Sequence, residues 1–291
     1  MCYFILRIFW GVFVAGWLAV FPPHGPPPNH RFGKLPARVF PKQASPSGQL
    51  TFRLETIEGA VPRASDSAAV YFMPKASANL LAMPKTQAFA QKLEFDPTPH
   101  QESKNIYRFD DPEFTLRKLK YDIVSNHFIL RYGFDQDTGL FLDRVLPDAE
   151  GAKMKAIGIL QNHDIWNEDL VRGNQTVTFL KIVSDQLAAT TSLSAADAVR
   201  IDFFRQPVSG LRVLPPNPDE SPVGFIFSGS SISKKQLIQF AYDFWPIDYE
   251  NAATYTLKPS SQAWQELQAG GGFIARLPKT GNTATIRNVS L

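Results

Sequence analysis

The chain of 291 residues is 44% hydrophobic and 20% charged, too apolar for a disordered segment and long enough for about two domains or one large one. Its one cysteine, Cys2, excludes a disulfide framework, a cysteine-based zinc site and a CxxC redox pair. The net charge of +3 belongs to residues 1–46, where Arg7, Arg31, Lys34, Arg38 and Lys42 meet no acid; beyond them 25 basic residues face 27 acidic ones, which argues against a nucleic-acid partner.

Residues 3–21 (YFILRIFWGVFVAGWLAVF) carry Arg7 as their only charge, and at about 1.5 Å per residue they match the hydrocarbon thickness of a bilayer. The run ends in Leu-Ala-Val-Phe-Pro-Pro without a small-x-small cleavage pattern, so residues 1–21 read as an uncleaved signal-anchor transmembrane helix. Lys and Arg near its two ends lean towards a cytoplasmic body, whereas a lone N-terminal anchor usually serves export. The expectation is a single-pass protein of the cell membrane with an extracytoplasmic body. Residues 22–46 hold eight prolines, which favour polyproline II and exclude a helix, so this stretch reads as a stalk.

The body begins with strand-like runs over 50–56 and 68–74. A helix follows over 83–95, opened by Pro84 and stopped by Pro97, then antiparallel strands over 105–109, 114–124 and 127–134 and a turn at 135–139. The cycle recurs, with a helix within 146–165 and strands over 176–183, 198–205 and 223–230. Aromatic residues make 234–248 a long strand or a strand pair. A third round opens at 257–277, where Pro259 and Ser260 start a short helix and Gly270–Gly272 stop it; Ala263, Trp264 and Leu267 share one face of that helix. Three rounds predict an α+β body of related units, each a short helix packed on antiparallel sheet. Their bounds are 47–145, 146–256 and 257–291, the last reading as incomplete at the C-terminus.

The run LKPSSQAWQELQAGGGFIAR, followed by TIRNVSL, resembles the helix-then-hairpin unit of the YycH/YycI family. The apolar N-terminus, the FGKLP segment (32–36) and the Phe-rich body are similar in layout to anchored bacterial exported proteins. That resemblance implies repeated PepSY-like α+β units, placement outside a bacterial membrane, and regulation of a sensor-kinase-like envelope partner.

Chemistry-bearing residues are sparse. The five histidines form no i,i+4 pair, and NHDIW (162–166) with Glu168 and Asp169 is the best cluster of histidine and carboxylates. It is set against the simpler reading of a helix C-terminus with His163 near the negative end of the dipole. Asp110 and Asp111 are adjacent, so one of them points away from any shared site. SGSS (228–231) lacks the Gly-x-Ser-x-Gly elbow, and Gly270–Gly272 is no phosphate loop. Phe204 and Arg205, with Tyr242 and Trp245, are the candidate partner-contact residues, weighed against core packing. No catalytic, cofactor or metal residue is assigned. The expected function is a non-catalytic, membrane-anchored binding or regulatory module acting on an envelope protein, with a glycan-active cell-wall enzyme or glycan-binding accessory as the alternative. A cleft gathering two or more carboxylates or histidines discriminates the two.

Overall fold

The computed structural model describes residues 27–37, 50–77, 79–143, 145–213, 215, 221–274 and 281–289. In chain order the elements are β1 (Thr51–Leu54), β2 (Ser67–Phe72), α1 (Ala82–Lys92), β3 (His100–Gln101), β4 (Ile106–Asp110), β5 (Arg117–Asp122) and β6 (Phe128–Tyr132). There follow α2 (Ala149–Asn162), α3 (Glu168–Val171), β7 (Gln175–Val183), β8 (Gln186–Thr190), β9 (Ala198–Phe203) and β10 (Val223–Ser228). The last are α4 (Ser233–Gln236), β11 (Leu237–Tyr242), β12 (Asp248–Thr256), α5 (Ser260–Gln268) and β13 (Thr283–Ile286). Two compact units result: one of Met1–Met73 with Ile247–Leu291, the other of Pro74–Pro246.

The second unit is a nine-stranded antiparallel sheet in the order β3-β4-β5-β6-β11-β10-β9-β7-β8. Strand side chains alternate between faces, so two neighbouring register rows define its two sides. One row runs Phe109–Leu119–Leu130–Phe240–Phe225–Ile201–Val177 across seven strands and is apolar throughout. The next runs Asp110–Lys118–Arg131–Gln239–Ile226–Arg200–Thr178 and is mostly polar. Helices cover the apolar side. Helix α1 presents Ala82, Thr86 and Ala90, and α2 presents Ala152, Ala156 and Leu160, each at i, i+4, i+8. Pro84 fits in the first turn of α1, where its missing N–H has no acceptor to lose. Asp148 caps α2 by accepting from the Gly151 N–H at 2.7 Å, and Asn167 caps α3 by accepting from the Leu170 N–H at 3.1 Å. A smaller cluster of Tyr132, Leu140, Leu180, Ala198 and Ile238 lies apart from this main core, with Phe134 and Phe141 against it.

This architecture corrects the expected fold class. The molecule is mostly sheet with short helices, and the helix-then-meander pattern seen in the sequence does not make separate PepSY-like units. Leu130 of β6 pairs with Phe240 of β11 and joins the two meanders edge to edge. Kept apart, each meander would leave an open edge and an interrupted apolar row. The run 234–248 is a helical turn, α4, followed by the single strand β11 and then the start of β12.

Membrane placement is corrected as well. Among the described residues no helix is long and apolar enough to cross a membrane. The longest, α2, has 14 residues, about 21 Å at 1.5 Å per residue, against a hydrocarbon core of about 30 Å. The expected span, 3–21, lies outside the described residues. No helix of the described residues therefore supports a single-pass, extracytoplasmic placement.

In the first unit β2 pairs antiparallel with β12, and β1 pairs parallel with β13. The described part of the proline-rich stretch, 27–37, docks on β12. Asn29 N–H donates to the Thr254 carbonyl at 3.1 Å, the Tyr255 hydroxyl donates to the Gly33 carbonyl at 2.9 Å, and the His30 ring stacks on Tyr255 at 5.1 Å. On α5, Trp264 is half-buried with its edge towards Phe52 at 6.4 Å, while Ala263 is exposed.

Candidate functional site

The polar side of the nine-stranded sheet holds a cleft of about 640 Å³. Alternation in β5 turns Arg117, Leu119 and Tyr121 inward and leaves Lys118 and Lys120 facing out. In β6, Phe128, Leu130 and Tyr132 are buried, with Ile129 half-buried and Arg131 exposed. Register then sets Lys118, Arg131 and Gln239 side by side across three strands. Leu116, Phe134, Ile226 and Ile238 add apolar surface.

A polar anchor at Asp137 fixes the loop that walls the cleft. The Tyr132 hydroxyl and the Lys235 ammonium each donate to Asp137 Oδ2 at 2.6 Å, and the Gly139 N–H donates to Oδ1 at 3.1 Å. The bond from Lys235, then that from Tyr132, holds the Asp137 carboxyl below its ordinary range. Asp137 raises Lys235 in turn, and Tyr132 is raised by burial and then by Asp137.

Most cations on this face are answered by acids. Lys120 pairs with Glu102 at 2.7 Å, Lys118 lies 3.8 Å from Asp110, and Arg200 pairs with Asp202 at 2.8 Å. Among the described residues Arg131 has no ion pair or hydrogen bond, and Asp135 is the one carboxylate lining the cleft. A free guanidinium beside an apolar wall can take a carboxylate or phosphate with two parallel hydrogen bonds.

The four candidate contact residues lie elsewhere, at one end of the same unit. Arg205 is buried, ion-paired with Asp169, donates to the Trp245 carbonyl at 2.9 Å and lies 5.0 Å from the Phe244 ring. Tyr242 is half-buried, stacked on Phe128 at 5.4 Å, its hydroxyl 3.4 Å from the Ile165 carbonyl, and burial pushes it up to about 12. Phe204 is half-buried and its N–H donates to the Asn174 carbonyl at 2.8 Å. Trp245 is 37% exposed and sets its ring against His127 at 4.4 Å. His127 also bonds Asp243, which lowers that carboxyl. Arg205 and the Trp245 carbonyl therefore brace the end of the sheet, and none of the four lines the cleft.

The NHDIW cluster is dispersed. His163 is the C-cap of α2 with Nδ1 2.7 Å from the Ile159 carbonyl; Asp164 pairs with Lys92 and Glu168 with Arg172. Asp111 is buried on Arg117 while Asp110 lies on the polar side, so the adjacent carboxylates do diverge. Among the described residues no group of three His, Cys, Asp or Glu could hold a metal ion. Sequence reasoning missed Arg131 and Gln239. The alternation in 117–122 and 128–132 marked the polar side, but only register reveals which cation stands without an acid.

Comparison with family models, with curated proteins and with solved structures finds no match to the chain.

Proposed function

We propose that this protein is a non-catalytic binding module whose polar sheet face receives an amphipathic anion, an apolar body carrying a carboxylate. The observation that carries the reading is Arg131, a cation without an ion-pair partner among the described residues, in a cleft to which Leu116, Ile129, Phe134, Ile226 and Ile238 add apolar surface. Ligand sites of about 300–1,000 Å³ with a few convergent polar groups have this character. A glycan-active enzyme instead needs two carboxylates about 5–10 Å apart across its cleft, and Asp135 is alone among the described lining residues.

The test is calorimetric titration of the full chain with octanoate, acetate and octanol. Octanoate binds saturably, and acetate and octanol each bind at least about tenfold more weakly. Octanol equal to octanoate shows that charge is not read, acetate equal to octanoate shows that the apolar wall is unused, and either result overturns the proposal.

A further inference from the structure

On the helix-covered side of the same sheet a second, smaller cavity of about 210 Å³ lies among the C-terminal end of α1, the middle of α2 and the short α4. Four cationic side chains, Lys92, Arg117, Lys155 and Lys234, line it against one carboxylate, Glu94. Lys92 is tied to Asp164 at 3.2 Å, and Lys234 to Glu113 at 2.8 Å, with Asp111 at 3.6 Å and Glu94 at 4.0 Å. Arg117 is 5% exposed. Its terminal nitrogens donate to Asp111 Oδ2 at 2.8 Å and to the Leu93 carbonyl at 3.0 Å, but its buried Nε has no hydrogen-bond partner.

Lys155 differs from the others in having no acid among the described residues. Its ammonium donates to Gln236 Oε1 at 2.6 Å and lies 5.0 Å from the centre of the Phe227 ring. The residue is exposed, and the partial burial of its ammonium pushes its pKa down. An anion in the cavity gains a charge partner in the Lys155 ammonium, which no acid among the described residues answers.

We infer that this cavity is a binding site for a phosphate group, with Lys155 supplying the charge that no described acid answers and with Arg117 and Lys234 as the neighbouring cations. The cavity is smaller than the roughly 300 Å³ at which pockets for extended ligands begin, which favours a compact oxyanion. The inference is independent of the cleft on the polar face, because no residue lines both.

The experiment is calorimetric titration of the full chain at constant ionic strength with inorganic phosphate and, separately, with methyl phosphate. Phosphate binding is expected to weaken at least about tenfold in Lys155→Met and to change less than about twofold in Lys181→Met, a substitution on strand β7 that does not line the cavity. Lys155→Met removes the charge of an exposed residue while keeping the side chain's length, so its unfolding midpoint is expected to change little, which separates lost binding from lost fold. Tighter binding of methyl phosphate supports the site with a phosphomonoester as its source, and tighter binding of inorganic phosphate supports it with the free ion. Absence of saturable binding of either probe up to about 10 mM, or binding that Lys155→Met leaves intact, overturns the inference.

Discussion

At the residue scale, two polar groups do structural work that composition does not reveal. Burial alone would raise the Asp111 carboxyl, yet the N–H groups of Glu113 and Phe114 and the Arg117 guanidinium more than offset it and hold it below 3.8. A carboxylate lowered on folding stabilises the native state above its unfolded value, and that stability is lost as pH falls through the lower folded one. Asp111→Ala leaves Arg117 buried without its acid and costs about 3–5 kcal/mol in urea denaturation at neutral pH, a difference that narrows at acid pH. Asp137 has the same sign, whereas Lys235 has the opposite one: raised on folding, it stabilises below 10.5 and its contribution is lost as pH rises through the folded value. Asp137→Asn is expected to cost about 1–3 kcal/mol and to loosen the loop walling the cleft, read as faster amide exchange at Gly139. The adjacent pair Asp110–Asp111 was legible as divergent from the sequence. Which of the two is buried was not, because that depends on Arg117 arriving from the next strand.

At the element scale, local pattern locates α1, α2, α5 and most of the strands, but neither of the short helices α3 and α4. Pro84 and Asp148 mark the starts of α1 and α2, and the alternation in 117–122 gives β5 its two sides. The joining of the two meanders is invisible to local pattern, since Leu130 and Phe240 meet from residues far apart in sequence. Removing Phe240, stacked 4.2 Å from Phe225 in the middle of the apolar row, is expected to cost about 3–5 kcal/mol as Phe240→Ala. A second test lies at the turn between α3 and β7. A Cβ at Gly173 would stand 1.7 Å from the Phe204 carbonyl oxygen and 2.9 Å from that of Asp169, so the backbone must move to admit one. Gly173→Ala therefore lowers stability by about 3 kcal/mol or more in chemical denaturation, although alanine is the better helix former. Glycine at 173 is required by close approach, and no spacing in the sequence announces it.

At the scale of the whole molecule, the chain leaves for the second unit after Met73 and returns to the first at Ile247. Both core clusters and both cavities belong to Pro74–Pro246. A fragment of 74–246 is accordingly expected to unfold cooperatively on its own, with near-ultraviolet circular dichroism and denaturant dependence coinciding in one transition. Non-coincident transitions would show that the sheet needs the rest of the chain. The sequence rhythm of helix then strands was real, but rhythm does not say whether successive meanders stay separate or merge. The binding face was legible only as an alternation of polar residues, because the isolation of Arg131 from any acid is a property of seven strands in register. The central claim is that Arg131 reads a negative charge in that cleft, and the most direct measurement is the octanoate-to-octanol affinity ratio in the native protein, Arg131→Lys and Arg131→Met. The account predicts a ratio of at least about ten in the native protein, a smaller one in Arg131→Lys and one near unity in Arg131→Met. An undiminished ratio in Arg131→Met would contradict it.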